Sequence, residues 1–240
     1  MFVLFTDFGL EGPYSGQVKA VLHQGAPARP VIDLFADAPA FDPRASAYLL
    51  AAYSTGFPAG SIFLAVVDPG VGSDRAPVIL EADGHSFIGP DNGILDLVAR
   101  RAEMSRYREI LWRPERLSAS FHGRDLFAPV AVMLARGDPV NTQDLDGTAR
   151  PGATWPNDLA EIVYIDCYGN AMTGLRASEV PAQARLTLAG MQIAAARTFS
   201  DVPAGKAFWY ENANGLVEIA VNGGHAAERL GLAVGTALSY

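Results

Sequence analysis

"SIFLAVVDPGVGSDR", residues 61–75, sets the fold of the first half of this chain. Ile62 to Val67 is an unbroken apolar run, the pattern of a strand covered on both faces, and strands of that kind belong to parallel sheets. The run stops at Asp68, and Pro69-Gly70-Val71-Gly72 turns the chain before Arg75 brings back a positive charge. Two readings of Asp68 stand side by side. It is an ordinary turn former closing a strand, or it is a carboxylate presented for chemistry at a strand's C-terminal edge.

Working outward, "FVLF" (2–5) and "PVIDLF" (30–35) predict two more strands, with a helix over 13–25 between them. In "FDPRASAYLLAAYSTGF" (41–57) Asp42 is placed as an N-cap and Pro43 as the first helical residue. "PVILEADGHSFIG" (77–89) predicts a hairpin about Asp83-Gly84. Residues 92–102 read as a helix and 107–111 as a strand. A helix over 123–137 should be kinked or delayed by Pro129, which lacks an N–H to donate. Strands alternating with helices predict an α/β domain with a largely parallel sheet over residues 1–140. Residues 141–157 read as a linker, proline-rich and without periodicity. From 158 to 240 only short strands are predicted, at 161–166, 184–190, 207–211 and 215–222, with Asn214-Gly215 as a hairpin turn. A smaller β-rich second domain is therefore expected.

Composition narrows the function classes. Half of the 240 residues are hydrophobic and 18% are charged, as in a packed globular protein. The net charge is −8 and no Lys/Arg run occurs, so neither nucleic acid nor an anionic membrane has an electrostatic footprint to bind. Cys167 is the one cysteine, which excludes an intrachain disulfide and suits a reducing compartment. The first residues lack a basic n-region. No segment reaches the roughly 20 apolar residues of a membrane helix. A soluble, cytoplasmic protein is the expectation.

In an open α/β sheet, ligands bind beyond the carboxyl ends of the strands. Asp7, Asp68 and the pair Asp91-Asn92 fall at or near such ends, and His122 stands at the entry to the helix near 123. Each alone is an ordinary turn or helix-start residue; their shared edge is what marks a candidate site. Asp7, Asp68 and Asp91 together could hold a divalent cation on carboxylate oxygens. Glycine-rich phosphate loops, serine-hydrolase elbows and paired zinc histidines are absent from the sequence.

"LFTDFGLEGPYSG", "VVDPGVGSDR", "GPDNGIL", "FHGRDLFAPVA", "IDCYGNAMT" and "NANGLVEIAVNGGHAAERLGL" together resemble the S-adenosylmethionine (SAM) hydroxide adenosyltransferases. These SAM hydrolases share a superfamily with the fluorinase and chlorinase. The likeness runs in order from Leu4 to about Gly235. It implies an N-terminal α/β domain, a C-terminal β-barrel domain and a homotrimer with active sites between subunits. It also implies SAM as substrate, no cofactor and no metal.

The resemblance assigns Asp68, Arg75 and His122 to a set that prepares the attacking water, a set the halogenating members lack. Gly123 falls at the halide-pocket position, where the fluorinase has serine and the chlorinase glycine. By the same likeness Asp7 binds the ribose hydroxyls and Phe41 packs near the ribose and sulfonium. Asp166 and Asn170 hold the methionine end and adenine, and Phe199, Asn222 and Gly223 flank the base. Met172 replaces an adenine-stacking tryptophan of the fluorinase, and Asn214 and Val221 replace arginines. The implied reaction is attack of water or hydroxide on ribose C5′, giving adenosine and L-methionine. Two alternatives remain at this point: a SAM-dependent halogenase, and a non-catalytic adenosine- or SAM-binding module.

Overall fold

A computed structural model describes residues 1–145, 149–188 and 190–240. The parts of the expected linker at 146–148 and of the expected strand at 189 lie outside the described residues. Contacts divide the chain into two units, Met1–Trp155 and Pro156–Tyr240.

The first unit carries strands β1 (Phe2–Thr6), β2 (Val31–Phe35), β3 (Ile62–Val66), β4 (Pro77–Ala82), β5 (His85–Pro90), β6 (Ser105–Ile110) and β7 (Thr142–Asp144). Its helices are α1 (Tyr14–Gly25), α2 (Pro43–Tyr53), α3 (Asp96–Arg101) and α4 (Ala128–Arg136). The strands form one sheet in the order β2-β1-β3-β5-β4-β6-β7. β2, β1, β3 and β5 run parallel, and the far side is completed by antiparallel pairings. The apolar run of the opening stretch is β3, buried along its whole length between β1 and β5.

Alternation across the strands divides the core. Phe2 and Leu4 of β1 and Ile62 and Leu64 of β3 pack with Val18 and Leu22 of α1 and Val130 and Ala131 of α4. On the opposite face Phe5 meets Phe35, which meets Tyr53 of α2, and Phe63 stacks on Phe87 at 4.6 Å. Asp42 caps α2 by accepting from the Ala45 N–H at 2.9 Å, with Pro43 inside the first turn. The β4–β5 hairpin turns at Asp83 and Gly84, both at positive φ.

The last helix is delayed, as Pro129 requires. Residues Gly123–Phe127 form a π-helical turn in which the Ala128 N–H reaches back to the Gly123 carbonyl, and α4 starts only at Ala128. Pro129 has no N–H to offer the carbonyl four residues earlier, and the wider turn falls at that interruption of the α-helical ladder.

After β7 the chain returns to the sheet as a strap. Arg150 pairs with Asp91 at 3.3 Å and lies 4.7 Å over the Tyr107 ring. The Gly152 N–H donates to Asp96 Oδ2 at 2.7 Å, while the Tyr107 hydroxyl donates to Asp96 Oδ1 at 2.7 Å. Arg100 donates to the carbonyls of Gly152 and Trp155.

The second unit holds β8 (Leu159–Ile165), β9 (Ala171–Arg176), β10 (Leu186–Leu188), β11 (Met191–Ile193), β12 (Ala207–Glu211) and β13 (Leu216–Val221), then the short helix α5 (Ala226–Leu230). β12-β13-β9-β8 form an antiparallel sheet and β10-β11 a separate ribbon. Isolated bridges join Ala195 to Trp209, Thr187 to Ser239 and Glu161 to Ala237. Among the described residues no helix is long and apolar enough to cross a membrane.

Candidate active site

β1 and β3 are adjacent, parallel and in step, with Phe2 opposite Ile62 and Thr6 opposite Val66. The residues that follow them, Asp7 and Asp68, therefore emerge at the same sheet edge. Beyond Asp68 the turn is drawn tight by the Val71 N–H to the Asp68 carbonyl (3.2 Å) and the Ser73 N–H to the Gly70 carbonyl (3.0 Å). Gly72 sits at φ +83°, and a Cβ there would lie 2.7 Å from the Ala119 carbonyl oxygen. That close approach brings the 118–122 segment against the turn, and His122 with it.

The turn returns Arg75 to Asp68. Arg75 Nε donates to Asp68 Oδ1 at 2.7 Å and Nη2 to Oδ2, a bidentate pair with side chains 9% and 6% exposed. Nη2 also lies 3.0 Å from His122 Nδ1. Guanidinium nitrogens only donate, so Nδ1 is the acceptor and the neutral ring carries its proton on Nε2. Burial and then the neighbouring Arg75 charge push the His122 pKa below the ordinary histidine value. Arg75 Nη1 is buried with no hydrogen-bond partner among the described residues.

Asp7 accepts from the Phe41 backbone N–H at 3.0 Å. Phe41 adopts φ +60°, a left-handed conformation unusual for a bulky residue, and its side chain is 76% exposed. Burial raises the Asp7 pKa; the Phe41 N–H opposes that shift, and the Asp68 charge adds to it. Asp7, Phe41, Asp68 and His122 line one cavity of about 340 Å³, together with Phe8, Tyr14, Val66, Val71, Ser120, Phe121 and Gly123.

Asp91 does not join this group. It is committed to Arg150, so the possible cation cluster of Asp7, Asp68 and Asp91 is not assembled. The sequence hid this because the partner lies 59 residues away in a stretch read as linker. Among the described residues no three His, Cys, Asp or Glu side chains are gathered to hold a metal ion.

In the second unit the remaining candidates collect at one end of the four-stranded sheet. The β8–β9 turn carries Asp166 and Asn170, and Ala171 pairs with Ile219 near the end of β13. Asp166 Oδ1 accepts from the N–H groups of Tyr168 (2.9 Å) and Asn170 (2.8 Å), and Oδ2 from Asn170 Nδ2 (3.1 Å). The His225 ring packs on Gly169, at φ +83°, and fixes this turn. Asn222 Nδ2 donates to the Val202 carbonyl at 2.6 Å, and the Asn222 carbonyl accepts from the Gly205 N–H at 2.7 Å. Gly223 follows at φ +67°. Phe199 makes edge contacts with Phe208 (5.0 Å) and Tyr210 (5.5 Å).

Sequence reasoning missed the cavity's other rings, Phe8, Tyr14 and Phe121, although Phe8 and Phe121 adjoin Asp7 and His122. It also missed Glu218, which is 3% exposed and accepts from the Tyr210 hydroxyl (2.5 Å) and Asn212 Nδ2 (3.0 Å). Burial raises its pKa, and the Asp166 charge adds to the effect. In "LVEIAVN" it reads as the polar member of an alternating strand.

Comparison with known proteins identifies the family. Residues 2–144 match the family described as SAM hydroxide adenosyltransferase N-terminal domain, and residues 160–239 match the C-terminal domain of that name. A Thermus thermophilus protein named (R)-S-adenosyl-L-methionine hydrolase is 40% identical, covering 96% of this chain and 95% of its own. A protein of the same name from Salinispora arenicola is 37% identical, covering 97% and 94%. A crystal structure described as an uncharacterized conserved protein from Thermotoga maritima superposes with a TM-score of 0.88 at 30% identity, covering 99% of this chain and 98% of that one.

Proposed function

The chain belongs to the SAM hydroxide adenosyltransferase family and hydrolyses SAM, and from that premise we propose how its residues do so. The substrate is a sulfonium, so its leaving group is a neutral thioether that needs no acid to depart. What the reaction lacks is a nucleophile held in line with the C5′–S bond and biased towards hydroxide. The bidentate Asp68–Arg75 pair with His122 Nδ1 on the same guanidinium is the observation that carries the assignment.

Asp68 borders the cavity, and the lone pairs left free by Arg75 accept one O–H of the water and aim its oxygen. Arg75, permanently cationic, favours negative charge developing on that oxygen. With Nδ1 occupied, His122 acts as a donor through Nε2–H rather than as the base. The oxygen–C5′ bond forms as C5′–S breaks and its electron pair returns to sulfur. Adenosine, methionine and one proton leave. Asp7 accepts from the ribose hydroxyls, and Phe41 covers the sugar. Asp166, Asn170, Phe199, Asn222 and Gly223 serve the methionine and adenine ends. No cofactor or metal is needed for these steps.

The relatives' names specify the (R)-sulfonium, and we assign the same epimer here. The bridge circuit through Ala195, Ser239 and Ala237 supports a closed barrel for the second unit. A homotrimer, checked by its sedimentation mass, and a cytoplasmic setting complete the reading.

The test is to incubate the protein with each SAM epimer in chloride buffer and identify the nucleoside formed. Adenosine, formed faster from the (R)-sulfonium, is expected. A 5′-chloro product would point to halogenation, and intact SAM would leave only a binding role.

A further inference from the structure

A sulfonium entering the first-unit cavity brings a positive charge at sulfur, and both carboxylates on that wall are already engaged. Asp68 is held by Arg75, and Asp7 by the Phe41 N–H and, in the proposed pose, by the ribose. Much of the remaining wall is aromatic, made of Phe8, Tyr14, Phe41 and Phe121. We propose that Tyr14, braced by Phe8 and Phe121, is the specificity-determining residue that receives the charged sulfur and lets the enzyme tell a sulfonium from a neutral thioether. The inference rests on reading this cavity as the SAM site.

The ring faces carry negative potential and attract a cation, more strongly once water is excluded. Phe121 meets both other rings edge to face, Tyr14 at 5.5 Å and 88° and Phe8 at 5.9 Å and 79°, and Phe8 and Tyr14 lie tilted to each other at 6.3 Å and 54°. Phe121 already serves one cation, the Arg124 guanidinium 5.0 Å from its centroid. Phe8 is pressed against Gly123, where a Cβ would come within 3.0 Å of its ring. Phe41, the most exposed of the four, is given to the sugar, so Tyr14, at the start of α1 and 51% exposed, is the member of the braced trio with uncommitted surface.

The chemistry gives this placement a direction. Sulfur is cationic in the substrate and neutral once C5′–S has broken, so the ring's attraction is greatest for SAM and gone for methionine and adenosine. Such an interaction raises affinity for the charged substrate and lets the neutral products leave. It does not lower the barrier of the chemical step, which discharges the sulfonium.

The experiment compares three competitive inhibitors: S-adenosylhomocysteine (a neutral thioether), its aza-analogue with an ammonium in place of the sulfonium, and adenosine. In the wild-type enzyme the aza-analogue should bind about three- to tenfold tighter than the thioether. Tyr14→Leu should bring that ratio towards unity while adenosine inhibition stays within about twofold, and the loss for SAM should appear in KM rather than kcat. Tyr14→Phe, which keeps the π face, should restore the ratio. Tyr14→Gln, polar and without a π face, should repeat the loss if the leucine variant folds poorly. An unchanged ratio in Tyr14→Leu or Tyr14→Gln, with adenosine still bound, would overturn the assignment of Tyr14. Failure of adenosine to inhibit the wild-type enzyme would instead remove the SAM reading of the cavity, and the proposal with it.

Discussion

Replacing Asp68 by alanine tests both the fold and the chemistry, and the two effects separate cleanly. The carboxylate and its guanidinium are 6% and 9% exposed, and Arg75 Nη1 has no partner among the described residues. Taking away the carboxylate strands a buried cation, which costs about 3–5 kcal/mol. For a unit of this size that lowers the melting midpoint by about 6–20 °C. The catalytic loss has another origin: water is no longer aimed at C5′ or relieved of its proton, which costs about 10²- to 10⁴-fold in rate. Asp68 touches the ligand only through that oxygen, which adenosine keeps as its 5′-hydroxyl, so adenosine should lose one hydrogen bond and bind about three- to tenfold more weakly. Chromatographic assay of adenosine release, calorimetric titration of adenosine and a melting curve measure the three quantities. Asp68→Asn retains the shape and one acceptor for Arg75, so it should regain stability without regaining rate. A folded Asp68→Ala protein that releases adenosine within about tenfold of the wild-type rate would refute the reasoning.

Asp7→Asn should trade affinity for stability. Burial raises the Asp7 pKa, so the folded state holds its proton more tightly than the unfolded chain, and stability falls as pH rises through that raised value. The amide should therefore melt higher at pH 7 while binding adenosine more weakly; a lower melting point would count against it. The His122 pKa is lowered by burial and Arg75, so the unfolded chain takes up that proton first, and stability is lost as pH falls below the ordinary histidine value. Protonation of the folded enzyme also removes the lone pair that receives Arg75, so kcat should decline at more acid pH, through the lowered value, and His122→Gln should erase that limb from the pH–rate profile. Gly89→Ala should break the sheet beside the site, because its Cβ would fall 2.2 Å from the Ala65 carbonyl oxygen. Loss of soluble folded protein is expected there, and a normal melting curve would contradict it.

What could be read ahead of the structure was mostly local. The β3 run, the Asp42–Pro43 helix start and the Asp83-Gly84 hairpin each carry their signal within a few residues. The Asp68–Arg75 contact spans seven residues across one tight turn, and the turn's composition announces it. β9 carries no local signal: "AMTGLR" has no alternation and contains a glycine, and its partners in β13 lie 40 or more residues away. The aromatic wall was hidden for a similar reason. Phe8, Tyr14 and Phe121 each look like ordinary core residues until the sheet edge and the α4 entry bring them together. The second-unit candidates drew on chain-long resemblance, since Asn170, Asn222 and Gly223 alone are plain turn residues.

The strap through Arg150, Gly152 and Trp155 decides where the first half of this molecule can be cut. Sequence likeness to the N-terminal family domain stops at residue 144, yet Asp91 and the 5% exposed Asp96 each take a donor from beyond that point. A half severed after β7 would keep every strand of the sheet, yet Asp91 would lose Arg150 and Asp96 would keep Tyr107 but lose the Gly152 N–H. Chimeras exchanging halves between relatives should be joined after Trp155, so that each acid travels with its own strap.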